Sequence, residues 1–183
     1  MAGLTQNYHE TCDPSPIADE AAITLATTYK ALMPVSRYNL GTQFFNKPGR
    51  KLWIRMFGKM TTLVTPGNGQ IGILFGTGAD NNGVIVAQSG AFSLAAAQTN
   101  LSWFADFYIT CRSTGTVGTL FGHGFFKVTD SVQALMQHIP ASAAVVSAAV
   151  DLTGTLVPSI QFLRSGSTVE TITVQDYHIS PMN

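Results

Sequence analysis

The stretch Leu101-Ser102-Trp103-Phe104-Ala105-Asp106-Phe107-Tyr108-Ile109-Thr110-Cys111-Arg112 decides the fold class. Its odd positions are Leu, Trp, Ala, Phe, Ile and Cys, while its even positions mix Ser, Phe, Asp, Tyr, Thr and Arg. Successive side chains of a strand point to opposite faces, so this period of two reads as a strand with one buried face and one mixed face. The segment Ser113–Thr116 then reads as a hairpin loop, followed by a Phe-rich strand over 117–128. Gly118, Gly122 and Gly124 inside that strand mark bends or close backbone approach.

Working outward, the same logic gives strands over 51–64, 70–76, 84–88, 91–95, 144–151, 159–164 and 168–179. The last changes phase: Ile172 and Val174 share one parity, Tyr177 and Ile179 the other. A bulge near Gln175 reconciles them. Segment 22–33 carries a helix-start pattern at Ser15, Pro16 and Asp19 but alternates at Ile23, Leu25, Thr27 and Tyr29, and is read as a first strand. Residues 130–138 are assigned a short helix. Helices do not alternate with the strands, which excludes βαβ units. The expected fold is all-β: an antiparallel two-sheet sandwich, jelly-roll-like, over 22–183, preceded by an extended N-terminal arm over 1–21.

Composition narrows the function. In 183 residues, charged side chains are 11% and the formal net charge is zero. The usual charged share is about 25%. A nucleic-acid binder needs concentrated positive charge, so that class is set aside. Few charges and no net charge favour association. No basic region followed by an apolar run opens the chain, and 141–160 is broken by Ser142, Ser147, Asp151, Gly154 and Pro158, so neither export nor a membrane span is expected. Cys12 and Cys111 are expected as reduced thiols.

Motifs for chemistry are sparse. Gly67-Asn68-Gly69-Gln70-Ile71-Gly72 fits G-x-G-x-x-G, but a strand pattern follows where a dinucleotide site needs a helix, so it reads as a turn. His9, His123, His138 and His178 are dispersed, without metal-ligand spacing. No nucleophile elbow is present. Asp106 is expected in a salt bridge to Arg55 or Arg112, and Cys111, on the buried parity, as an inert core thiol. The expectation is a non-enzyme with no cofactor and no metal. The 11 Phe, 5 Tyr and 2 Trp read as core plus subunit interface, with a sugar-binding platform as the alternative.

Four motifs follow one another along the chain. Gly49 to Thr62 fits G-[KR]-x-L-x-[IV]-R-x-x-G-x-x-[ST]-T. Trp103 to Arg112 fits W-x-x-x-x-x-[IL]-T-x-R, Gly118 to Phe126 fits G-T-L-x-G-x-G-x-F, and Ile172 to Tyr177 fits [IV]-T-V-Q-x-[YF]. Together they resemble the jelly-roll virion proteins of tailed bacteriophages, the capsid cement (decoration) proteins and tail-fibre subunits. The resemblance implies a structural role and carries over no catalytic residue. It leaves head and tail open, and the first expectation is an oligomer, a trimer in many such proteins, that is made in the host cytoplasm and seated on the capsid surface against the major capsid protein. A tail-fibre or spike module recognising a host glycan is the alternative. Tyr8, His9, Pro14 and Ile17 of the arm, with Tyr38, Phe44, Phe45 and Phe104, are the candidate partner-binding residues.

Overall fold

A computed structural model describes residues 18–33, 39–129, 134–143, 145–166 and 170–182. Among these there is no helix. Eleven strands run in chain order: β1 (Ile23–Thr24), β2 (Lys30–Ala31), β3 (Lys51–Thr61), β4 (Asn68–Gly76), β5 (Val84–Gln88), β6 (Phe92–Ser93), β7 (Leu101–Ser113), β8 (Thr119–Thr129), β9 (Ala134–Ile139), β10 (Val157–Arg164) and β11 (Thr171–Met182). They form two antiparallel sheets packed as a sandwich. The six-stranded sheet has the order β1-β11-β3-β7-β8-β9, and the other has the order β2-β10-β4-β5, with β6 paired to β4.

Period-two alternation puts one face of each long strand into a common core. Leu52, Ile54 and Met56 of β3, Phe107 and Ile109 of β7, Ile71 and Ile73 of β4, and Ile160 and Phe162 of β10 are all fully buried. Gly58 and Gly124 are small for a local reason. A Cβ on Gly58 would run into the Thr173 carbonyl and come within 2.6 Å of Trp103, and one on Gly124 would meet the Asp106 carbonyl. The phase change in β11 is a bulge, with the register to β3 shifting between Val174 and Asp176.

Several expectations need correction. Residues 134–139 form a strand rather than a helix. The β8 edge is open beyond Gly124 and supplies a hydrogen-bonding partner from Gly124 to Thr129, and backbone pairing outweighs the weak local helix preference. Segment 22–33 is not one strand. Ile23–Thr24 pairs with β11 and Lys30–Ala31 with β10, so the chain crosses from one sheet to the other around Thr27 and Thr28. Within 145–151, only Val150 bridges, to Gly118. The end of the proposed arm is joined to the sandwich, since the Glu20 N–H donates to the Val174 carbonyl and Asp19 pairs with Lys59.

The two outer faces differ. That of the five-stranded side is covered by loops. Tyr29 lies over Gly72 and its hydroxyl donates to Gln88 Oε1 at 3.0 Å. The buried Gln161 amide accepts from the Asn81 N–H at 2.9 Å and donates to the Ala79 carbonyl at 3.0 Å, pinning the 79–82 turn to the sheet. Among the described residues, no loop covers the outer face of the long central strands of the six-stranded sheet.

Candidate interaction surface

The open face is built by register. Strands β3 and β7 pair Trp53 with Tyr108, Arg55 with Asp106 and Phe57 with Phe104. Strand β8 adds His123 beside Tyr108, Phe125 beside Asp106 and Lys127 beside Phe104. Strand β11 adds His178 beside Arg55 and Asp176 beside Phe57. The bulge at Gln175 restores this parity: without it His178 and Asp176 would turn into the core.

At the centre lies one charge pair. The side chain of Asp106 is 6% exposed and that of Arg55 is 38% exposed. Arg55 Nη2 donates to Asp106 Oδ2 at 2.9 Å, and Trp53 Nε1 donates to Asp106 Oδ1 at 2.7 Å. The guanidinium lies over the Trp53 ring at 4.5 Å and 5.5 Å from the centroid of Phe104. The carboxylate therefore has both oxygens occupied, and the guanidinium is sandwiched by rings. Such contacts hold the outward side chains in one arrangement.

Around this pair the rings touch one another. Phe57 and Phe104 have centroids 4.7 Å apart, and Phe104 and Phe125 5.5 Å. Tyr108 stacks on His123 at 5.4 Å, Trp53 lies 13° from parallel with Tyr108, and His178 meets Trp53 edge-on. Arg112 covers Phe121 at 4.7 Å. Phe57 and Met136 remain exposed at 41% and 52%. Lys51, Arg112, Lys127 and Asp176 lie around the margin. There the Asp19 carboxyl is held below its usual range by a hydrogen bond from the Lys59 ammonium, helped by one from Gln175. An aromatic centre with its charges neutralised and a charged margin is the layout of protein interfaces.

Of the residues singled out from sequence, Phe104 lies on this face. Phe45 does not: it is fully buried, against Phe75 at 5.9 Å, because the turn at Gly41–Phe44 rolls it into the core. Phe44 is half-buried, edge-on to Phe45 and capped by the Arg50 guanidinium at 4.6 Å, away from the aromatic face. Tyr8, His9, Pro14, Ile17 and Tyr38 lie outside the described residues. Trp53, Phe57, Tyr108 and Phe125, which the sequence places only in an undivided set of core or interface aromatics, share this surface. The signal was present in the shared parity within each strand, but the register between strands was not. Asp106 pairs with Arg55, and Cys111 is buried with its thiol pushed up by desolvation. Among the described residues, no three His, Cys, Asp or Glu side chains converge as metal ligands would.

Comparison with known proteins identifies no relative by sequence. No family model matches the chain, and no curated protein matches it. Three solved structures are similar at a distance. A family 18 polysaccharide lyase shares 9% identity over 93% of this chain and 92% of its own, with a TM-score of 0.29. An alginate lyase from Alteromonas sp. 272 shares 8% over 93% and 92%, with a TM-score of 0.25. The CBM2 module of the evolved Dit of Lactobacillus casei BL23 phage J-1 shares 10% over 75% and 67%, with a TM-score of 0.23. Function has to be argued from the chain's own surface.

Proposed function

We infer that the chain is a structural, non-catalytic subunit of a tailed-phage virion, a capsid cement (decoration) protein that works as an oligomer on the major capsid protein. The observation that carries this reading is the open face of the six-stranded sheet. Its centre is aromatic and its one central charge pair is internally satisfied, so a neighbouring subunit covers it without stranding a buried charge, as an oligomer requires. The four motifs that resemble phage virion proteins lie largely on the strands that build this face. The low charge of the chain suits a protein that spends its working life with much of its surface covered. A cement protein binds the assembled shell and not its separated parts, and so stabilises the shell by mass action.

A glycan-binding tail module is the second reading, favoured by the near-parallel Trp53 and Tyr108 rings. Two observations weigh against it. The hydrogen-bonding groups beside Trp53 are engaged with one another, and one face of its ring carries Arg55. The Asn- and Asp-rich turn at 79–82 also spends its polar groups internally: Asp80 accepts from Lys30 and from the Ala31 N–H, and Asn82 Oδ1 from Thr77.

The test is co-sedimentation of purified protein with phage heads lacking their cement. Saturable binding at hundreds of copies per head, with greater resistance of the heads to heat, is the expected result. Protein left in the supernatant overturns the cement reading. Binding to host glycans that is lost in Trp53→Ala would move the assignment to a tail module.

A further inference from the structure

We propose that the open face of the six-stranded sheet is self-complementary and closes against a second copy of this chain about a twofold axis running between β3 and β7. The inference deepens the oligomer in the function proposed above by naming its surface and symmetry. It replaces the trimer implied by the resemblance with a closed pair.

Strand register makes the face self-complementary. A twofold axis in the plane of the face and parallel to the strands exchanges left with right along every cross-strand row. In the row Asp176–Phe57–Phe104–Lys127 it sets Phe57 on Phe104 of the second copy, and Asp176 on Lys127 of the second copy. In the next outward-facing row it lays the internally satisfied Arg55–Asp106 pair head to tail on the same pair of the second copy, and in the row after that it sets Trp53 on Tyr108. Opposite charges meet at the margin of the first row, and ring meets ring in the first and third. The alternative in-plane axis, perpendicular to the strands, leaves Asp176 and Lys127 on their own sides and produces no such match. Isologous contact of this kind needs one patch only and closes on itself.

The dimensions suffice. Strands β11, β3, β7 and β8, which this axis exchanges in pairs, lie about 4.8 Å apart, and with nine residues at about 3.4 Å each they make a face of roughly 19 Å by 30 Å. That is about 600 Å² per copy, at the lower end of the roughly 600–1,000 Å² per partner of stable interfaces. Packed sheets cross at about 30°, which displaces the outer pairs by roughly 3–4 Å along the strand, a shift that a lysine side chain can follow. Among the described residues neither Asp176 nor Lys127 takes part in an ion pair within its own chain. They stand three strands apart, about 14 Å, too far to pair within one copy.

That separation makes a decisive test. The full chain is studied by sedimentation velocity over a concentration series, at low and high salt. The parent should sediment at twice the chain mass of 19.5 kDa. Asp176→Lys and Lys127→Asp should each weaken pairing about tenfold or more at low salt, since each sets like charges opposite one another at two symmetric places. The double variant should regain the parent's affinity to within about threefold, as the two changes restore opposite charges between copies. Phe104→Glu should give a monomer, and Val117→Lys, at an exposed apolar site off this face, should change nothing. Melting curves establish that each variant is folded, which matters most at Asp176, whose Oδ1 accepts a hydrogen bond from the N–H of the buried Tyr177 at 2.8 Å. A parent of one chain or three overturns the inference, as does a double variant no tighter than the singles. Pairs that form as expected but ignore phage heads would overturn the cement reading alone; monomers that saturate heads would overturn this inference alone.

Discussion

Removing Arg55 should destabilise the fold more than removing Asp106, although the two form one pair. The reason is unequal burial: the Asp106 side chain is 6% exposed and that of Arg55 is 38% exposed. In Arg55→Met the carboxylate stays in the sheet face with only the Trp53 N–H to stabilise it. An uncompensated buried charge costs about 3–5 kcal/mol. For a chain of this size each kcal/mol is worth roughly 2–4 °C, so the melting temperature should fall by about 6–20 °C. In Asp106→Leu the guanidinium can turn to water, and the main loss is the acceptor for Trp53 Nε1, worth about 1–3 kcal/mol. In the double variant no charge is left buried. Its cost should lie near that of Asp106→Leu alone, which gives a coupling of at least about 2 kcal/mol in the cycle. Urea unfolding followed by circular dichroism, at one fixed low protein concentration, measures all four proteins. Equal losses for the two single variants, or simple additivity in the double, would refute the claim that burial sets this asymmetry.

Other tests probe the frame around the face. Gly58→Ala places a methyl group against the Thr173 carbonyl and Trp103, and should cost about 2–4 kcal/mol by forcing β3 and β11 apart, read as a lower urea midpoint. The Asp80 carboxyl is partly desolvated, which pushes it up, yet hydrogen bonds from Lys30 and the Ala31 N–H hold it below its usual value. A lowered folded-state value means stability that is present above the ordinary carboxylate range and lost as pH falls through the folded value. Lys30→Met should therefore lower the melting temperature slightly at pH 7 and flatten its fall below about pH 4; an unaltered acid limb would count against the pair. Burial raises the Cys111 thiol, so in a Cys12→Ser protein a thiol reagent at pH 8 should label Cys111 only as fast as the protein opens, and denaturant should make the reaction immediate.

Much of the sandwich was legible because period-two alternation is a local property. The parity of Leu101–Arg112 told which side chains of β7 enter the core, and the phase change around Gln175 located the β11 bulge to the residue. Local signals failed where a partner strand made the decision. Residues 134–139 became β9 because β8 offered an unpaired edge, and 22–33 split between two sheets because β11 and β10 end near one another at that corner. Phe45 looked like a surface aromatic beside Phe44, and a single turn put the two on opposite sides of the boundary.

By itself, then, the sequence determined that this is an all-β chain of low charge, with a mixed aromatic parity in each long strand. Alternation and composition are written residue by residue and need no fold to be read. Only the tertiary structure decided which strands lie side by side, and so that Trp53, Arg55 and Phe57 would face Tyr108, Asp106 and Phe104 across one ladder. The partner of a strand residue depends on register between segments some fifty positions apart. A slip of one residue in that register would have sent the same aromatic side chains into the core and left no open face.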